Sequence, residues 1–379
     1  MAERVDLLIL GASARAAAFS ALRAGLRPWC ADLFADADLR ERCPAVRLAG
    51  GYPDGFADLL ELAPEAPWMY TGGLENHPPL VTRLAKMRPL WGNNAAALNA
   101  VRDPVNVAPL LHAARLPAPR SVREFGYLLG ASRWLVKPLR GAGGIRFYYG
   151  EKRESLPARS YLQEFIEGEA RSVLYVAGIR DTRLLGVTRQ LVGETWLHAA
   201  PFQYCGSVGP IALSPNERAE LKRLGSVLAN GCGLRGLFGI DGIWKDGVFW
   251  PVEVNPRYTA SVEVLEYATG LAALAWHRQA FDPASAALPD AADSKGVIGK
   301  AILFARETIV FPQEGRWDKQ MQNRVSVQEM PDFADLPDAG QRIEARRPVL
   351  TFFTRAADVD SCLEALVRTA VRVIQSVSV

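Results

Sequence analysis

Long apolar runs are missing from this 379-residue chain. No stretch reaches the roughly 20 residues that a membrane-spanning helix needs, so no membrane partner is expected. Paired cysteines are missing too. The five cysteines, Cys30, Cys43, Cys205, Cys232 and Cys362, are odd in number and form no CxxC motif. That argues against a zinc ribbon or a disulfide framework and fits a reducing, cytoplasmic setting. Cys205 sits in Tyr204-Cys205-Gly206-Ser207 with no evident base partner, and reads as structural. Neither sign of charge dominates: 44 Lys and Arg stand against 41 Asp and Glu. No general attraction to nucleic acid or an anionic surface follows. Met1 to Leu10 mixes acidic and basic residues without a small-residue cleavage site, so no signal peptide is expected. Also absent are a Walker A motif and the strict dinucleotide-binding fingerprint.

What is present is ordinary globular composition, 49% hydrophobic and 22% charged, with length enough for two or three domains. Val5 to Leu10 reads as a buried parallel strand, Ala16 to Ala24 as a helix, and Pro28 to Asp32 as a second strand. Strand, glycine turn, helix, strand is a Rossmann-like opening. A helix N-terminus near Ser13 could hold an anion, and Asp32 could meet a ribose in a dehydrogenase. Thr71 to Asn76 falls where the carboxyl ends of such a sheet face a cleft. A turn at Trp91 to Asn94 divides a first domain, 1–94, from the remainder of the chain. Phe202 to Pro210, aromatic and glycine-rich, reads as a loop over the cleft.

Three stretches carry candidate chemistry. Trp134 to Pro138 is a strand with Lys137 near its end, followed by the glycine-rich turn Leu139 to Ile145. Glycines let backbone N–H groups approach phosphate oxygens, and Lys137 adds a point charge. Taken alone, this stretch reads better as a glycine-rich hairpin beside a surface lysine. Tyr161 to Arg171 leaves a strand into an acidic turn, where Glu167 could hold ribose hydroxyls. Finally, Phe238 to Ile243 and Pro251 to Arg257 flank the turn residues Lys245-Asp246-Gly247. Glu253 and Asn255 alternate on one strand and therefore share a face. Folding the two runs together brings Asp241 to them, an oxygen-only cluster suited to Mg²⁺, with Arg257 just beyond.

The strand lysine and glycine hairpin, then QEFIEG, GIDGI and PVEVNPR, occur in the order that resembles the ATP-grasp superfamily, over roughly Asn94 to Gly270. Within it the chain looks like the carboxylate–amine ligase branch that includes carbamoyl-phosphate-synthase-like enzymes. The resemblance implies an α/β fold: a Rossmann-like domain (1–94), an ATP-grasp lid (95–160) and a C-terminal ATP-grasp subdomain with the metal site (161–379). It implies ATP with Mg²⁺, Mn²⁺ being an alternative, and small-molecule carboxylate and amine substrates. Homodimers are common in that family. It places Lys137 on the ATP phosphates and Gly141, Gly143 and Gly144 in the lid loop. Glu164, Phe165 and Ile166 fall on the adenine hinge, and Glu167 on the ribose. Asp241, Glu253 and Asn255 match the metal ligands, and Arg257 the arginine facing the transferred phosphoryl group. Two departures stand out. Arg102 occupies the position of a second ATP-contacting lysine, and Asp241 that of a commoner glutamate. The implied activity is amide or peptide-like bond formation through an acyl phosphate; similar ligases join glutamate to tyramine in coenzyme biosynthesis. A nucleotide-binding module without turnover and an NAD-dependent oxidoreductase stay open as alternatives. Tyr204, Tyr258 and Arg189 are candidates for the acceptor pocket.

Overall fold

A computed structural model describes residues 4–124, 133–141, 148–149, 156–285, 294, 296–323 and 326–377. Gly143 and Gly144 of the expected lid loop lie outside them.

Four short strands open the chain: β1 (Leu7–Leu10), β2 (Pro28–Asp32), β3 (Ala45–Arg47) and β4 (Trp68–Tyr70). They form a parallel sheet in the order β3-β2-β1-β4. Unbroken apolar β1 is what a parallel strand covered on both faces requires. Leu7 and Ile9 face α1 (Arg15–Arg23), whereas Leu8 and Leu10 face α3 (Phe56–Leu62) and α4 (Pro78–Met87). The short α2 (Ala37–Arg40) follows β2.

α5 (Ala95–Val101) and α6 (Pro104–Ala113) are separate helices because Asp103 and Pro104 break the run. The Asp103 carboxylate accepts from Val105 N at 3.1 Å, capping the second helix. Both pack against α7 (Pro215–Cys232) in a core that includes Tyr175 and Phe238. Four antiparallel strands make a smaller sheet in the order β5-β8-β6-β7: β5 (Ser121–Val122), β6 (Trp134–Pro138), β7 (Tyr148–Tyr149) and β8 (Ser160–Glu164). β8 thus pairs with the small sheet, beyond the division expected at residue 160.

The large antiparallel sheet contains β9 (Glu169–Ala177), β10 (Thr182–Val192), β11 (Tyr204–Gly209), β12 (Gly236–Lys245), β13 (Val248–Asn255) and β14 (Val297–Phe304). After β15 (Ile309–Val310) come β16 (Phe333–Ala334), β17 (Arg342–Ile343) and β18 (Pro348–Ala356). The order is β13-β12-β9-β10-β11-β14-β18-β16, with β15 and β17 paired apart. β11 corrects the loop expected over Phe202 to Pro210. Its glycines signal close backbone approach rather than a turn: a Cβ on Gly206 would meet Lys300 O at 2.2 Å. α8 (Ala260–Thr269), α9 (Ala273–Phe281) and α10 (Asp318–Asn323) follow in chain order. α11 (Val359–Val377) closes the chain against β14 and β18.

A buried ion network joins the first sheet's helix to the large sheet. Arg15, fully buried, donates to both oxygens of Glu263 on α8 at 2.5 and 2.9 Å and to Asp335 at 2.9 Å. Lys300 Nζ reaches Glu263 at 2.7 Å. No helix among the described residues is long and apolar enough to cross a membrane.

Candidate active site

The β12–β13 hairpin turns at Asp246 and Gly247, both at positive φ, which closes a two-residue turn matched to strand twist. That register places Asp241 opposite Glu253 and Gly239 opposite Asn255. The three side chains face the small sheet, while Phe238, Ile240 and Val254 point into the core behind. Asp241 accepts from Ser172 Oγ on β9 at 2.8 Å and from Asn255 Nδ2 at 2.9 Å. Burial, and next the negative charge of Glu253, push its carboxyl up to about 6; Ser172, Arg257 and Gln190 pull the other way.

Arg102, at the end of α5, donates to Glu253 Oε1 at 2.8 Å, to Asn76 Oδ1 at 2.8 Å and to Gly141 O at 3.1 Å. Arg257 donates to Glu75 Oε1 at 2.9 Å, to Tyr258 O at 3.0 Å and to Asn255 Oδ1 at 3.3 Å. Glu75 is 1% exposed. Burial alone would raise its carboxyl, but Arg257 and Arg102 together hold it below the usual range. From the small sheet, Lys137 Nζ donates to Gln163 Oε1 at 3.0 Å and to Val252 O at 3.3 Å. Burial lowers its pKa, against the pull of Glu253 and Asp241.

Two cavities meet at Lys137, Gln163 and Val252. The first, about 310 Å³, runs from Phe165 and Ile166 to Asp241, Glu253, Asn255 and Arg257. Lys137, Gly141, Glu164 and Tyr204 also line it, so most of the residues expected from the sequence converge there. The second, about 430 Å³, lies between the small sheet and helices α5 and α6.

Other residues expected at the site have their partners elsewhere in this structure. Glu167 is outside the cavity lining; its side chain is 78% exposed and pairs with Arg133 at 2.7 Å. Tyr258 is buried against α1 and donates to Ala16 O at 3.2 Å, so it packs core rather than ligand. Arg189 pairs with Glu169 at 3.5 Å. Asp32 accepts from the backbone N–H of Ala14 at 2.7 Å, Phe34 at 3.0 Å and Ala35 at 2.6 Å. It therefore consumes the helix N-terminus near Ser13 and is itself consumed, which removes the basis for ribose binding there. Local sequence patterns do not mark Glu75, Ser172, Gln163 and Gln190 as site residues. Glu75 has a local signal in its place in the Thr71 to Asn76 loop, and Gln163 in its place in the QEFIEG run; Ser172 and Gln190 reach the site through strand pairing.

Among the described residues no group of three or more His, Cys, Asp or Glu gathers to hold a metal. Asp241 and Glu253 supply two carboxylates and Asn255 an amide oxygen, hard donors that suit Mg²⁺ rather than zinc. The charge of Glu253, which adds to burial in raising Asp241, is what a divalent cation between the pair would offset.

The model of the ATP-grasp domain matches residues 101–261, a segment that holds Arg102, Lys137, Asp241, Glu253, Asn255 and Arg257. The chain carries an ATP-grasp domain. A curated relative, the carbamoyl phosphate synthase large chain of Mycobacterium tuberculosis, is 23% identical over 216 residues, 48% of this chain and 18% of its own length. This chain thus spans about a fifth of the curated relatives it matches. Solved structures share the fold of this chain. The biotin carboxylase domain dimer of Hydrogenobacter thermophilus 2-oxoglutarate carboxylase, complexed with MgADP, ADP and bicarbonate, superposes with TM-score 0.73 at 13% identity. That match covers 97% of this chain and 90% of the other. An L-amino acid ligase from Bacillus licheniformis superposes with TM-score 0.67 at 16% identity, covering 97% of each chain.

Proposed function

We propose that this ATP-grasp protein is an ADP-forming carboxylate–amine ligase working through an acyl phosphate. One observation carries the reading: Asp241, Glu253 and Asn255 gather on one hairpin face beneath Lys137, in a cavity that also reaches the strand end at Glu164 to Ile166. The adenine packs against Phe165 and Ile166, and the triphosphate runs toward the acidic hairpin.

The chemistry follows from charge. A carboxylate is a poor electrophile because its leaving group would be oxide. Transfer of the γ-phosphoryl group to the carboxylate oxygen breaks the bond to ADP and makes phosphate the later leaving group. An amine then attacks the carbonyl carbon, releasing phosphate and a proton and leaving an amide. Asp241, Glu253 and Asn255 would hold Mg²⁺, which when bound neutralises phosphate charge. Lys137 exchanges its bonds to Gln163 and Val252 O for a phosphate oxygen. Arg257, oriented by Glu75, Asn255 and the Tyr258 carbonyl, faces the transferred group and stabilises the charge developing on it. The small sheet above keeps water from the acyl phosphate.

The Arg102–Glu253 pair supports a second reading, a nucleotide-binding module without turnover, since it occupies a carboxylate the metal would use. Calorimetry with MgATP, followed by ADP-release assays over paired acids and amines, separates the two. Glutamate with tyramine heads the panel. Binding together with acid- and amine-dependent ADP release is expected. Binding without release across the panel would leave the module.

A further inference from the structure

The larger of the two cavities shares Lys137, Gly141, Gln163, Val252 and Glu253 with the hinge-side one, but no part of the nucleotide is placed in its chamber beside α6. Its volume of about 430 Å³ falls within the range of small-molecule sites, ~300–1,000 Å³. One wall is the face of α6 carrying Val107, Ala108 and Leu111, continued by Ala118 and Pro119. These residues are apolar and bring no hydrogen-bonding side chain. The opposite rim is different in kind. Lys137, Arg140 and Arg102 stand there against one acid, Glu253, which Arg102 already neutralises. Arg102 Nε is buried and has no hydrogen-bond partner among the described residues. An apolar chamber with a cationic rim selects an amphiphilic anion.

We propose that this helix-side cavity binds an organic acid, its carboxylate at the Arg102–Arg140 rim and a ring or short chain against Val107, Ala108 and Leu111. A phosphate-rich ligand fits less well, because most of the wall offers nothing for its oxygens. Two sources share the chemistry: the acid that the ligase activates, or an effector that is not consumed. The inference rests on the reading that the nucleotide occupies the hinge-side cavity.

The test uses the full chain with 3-phenylpropanoate and octanoate as probes and 3-phenylpropanamide as the uncharged control, by calorimetry and ligand-observed NMR. MgADP is titrated separately, so a failure of the nucleotide reading registers by itself. The acids should bind with and without saturating MgADP, and the amide should bind weaker by roughly tenfold, the worth of one charge-assisted hydrogen bond. Ala108→Trp, which fills the chamber, should abolish acid binding and leave MgADP binding intact. Should Ala108→Trp fail to fold, Arg140→Ala reads the same rim and should weaken the acids without affecting the amide. Acid-dependent ADP release marks the acid as substrate; binding without release marks an effector. Mutual displacement of acid and MgADP, acid binding indifferent to Ala108→Trp or Arg140→Ala, or no acid binding at millimolar concentration would overturn the inference.

Discussion

Glu253 lies two residues from Asn255, whereas Asp241 lies fourteen away, and only the first spacing is local. Glu253, Asn255 and Arg257 share a strand and its immediate exit, so their alignment follows from strand geometry. Asp241 joins them because a two-residue turn sets the register. Glu253→Gln keeps the size of the side chain and removes its charge. MgATP binding should weaken and ADP formation should fall to a small residue of wild type. Retention of turnover within a few-fold, read by coupled ADP release, would remove Glu253 from the metal site. Lys137→Ala should raise the phosphoryl-transfer barrier by about 2–4 kcal/mol, as loss of one preorganised electrostatic partner does. Its readout is kcat at saturating MgATP. Glu75 is a subtler case. Its loop is placed at the cleft by the sequence, but nothing local shows that its carboxylate anchors Arg257, a contact between residues 182 positions apart.

At the scale of elements, α9 is tied to β12 through His277. Its Nδ1 accepts from Leu237 N at 2.9 Å, so its Nε2–H donates to Trp91 O at 3.0 Å. Both bonds together require the neutral ring. Burial lowers the His277 pKa from 6.5 to about 4, with the Trp91 carbonyl opposing. Between these values the unfolded chain binds more protons than the folded one, so stability is lost as pH falls through that window. The loss attributable to His277 should be about 3 kcal/mol, each pH unit between the two values being worth about 1.36 kcal/mol. Urea unfolding from pH 7 to pH 4 checks it: His277→Gln should flatten this part of the profile, and an unchanged slope would acquit the residue. β11 illustrates the opposite difficulty. Tyr204-Cys205-Gly206-Ser207 has loop composition, and only the backbone of β14 pressed against Gly206 explains why glycine is needed in a central strand.

For the molecule as a whole, the decisive contact is Arg15 with Glu263. Both side chains are fully buried, and Lys300 and Asp335 extend the network. Burial would raise Glu263; Arg15 and Lys300 reverse that and bring it to about 2. Arg15→Met preserves bulk but leaves Glu263 and Asp335 short of a cation. It should cost about 3–5 kcal/mol, as breaking a buried pair does. Equilibrium unfolding in urea measures it, and a cost under about 1 kcal/mol, the range of an exposed pair, would mean the network is dispensable. The loop carrying Glu75 and Asn76 is tied to the site by separate contacts, Arg257 on Glu75 and Arg102 on Asn76.

The order of Lys137, the Glu164 to Ile166 strand end, and the Asp241, Glu253 and Asn255 trio is readable from the chain alone, because strand alternation and turn chemistry act over a few residues. Tertiary structure alone decided the rest: that Asp32 serves its own backbone, that Tyr258 packs into the core, and that Glu167 points to solvent. It also decided that Gln163, Ser172 and Gln190 reach the site and that a second cavity opens beside α6. Each of these depends on which distant surface buries a side chain or supplies its partner. Such pairings are set by packing across the whole fold, and no local pattern encodes them.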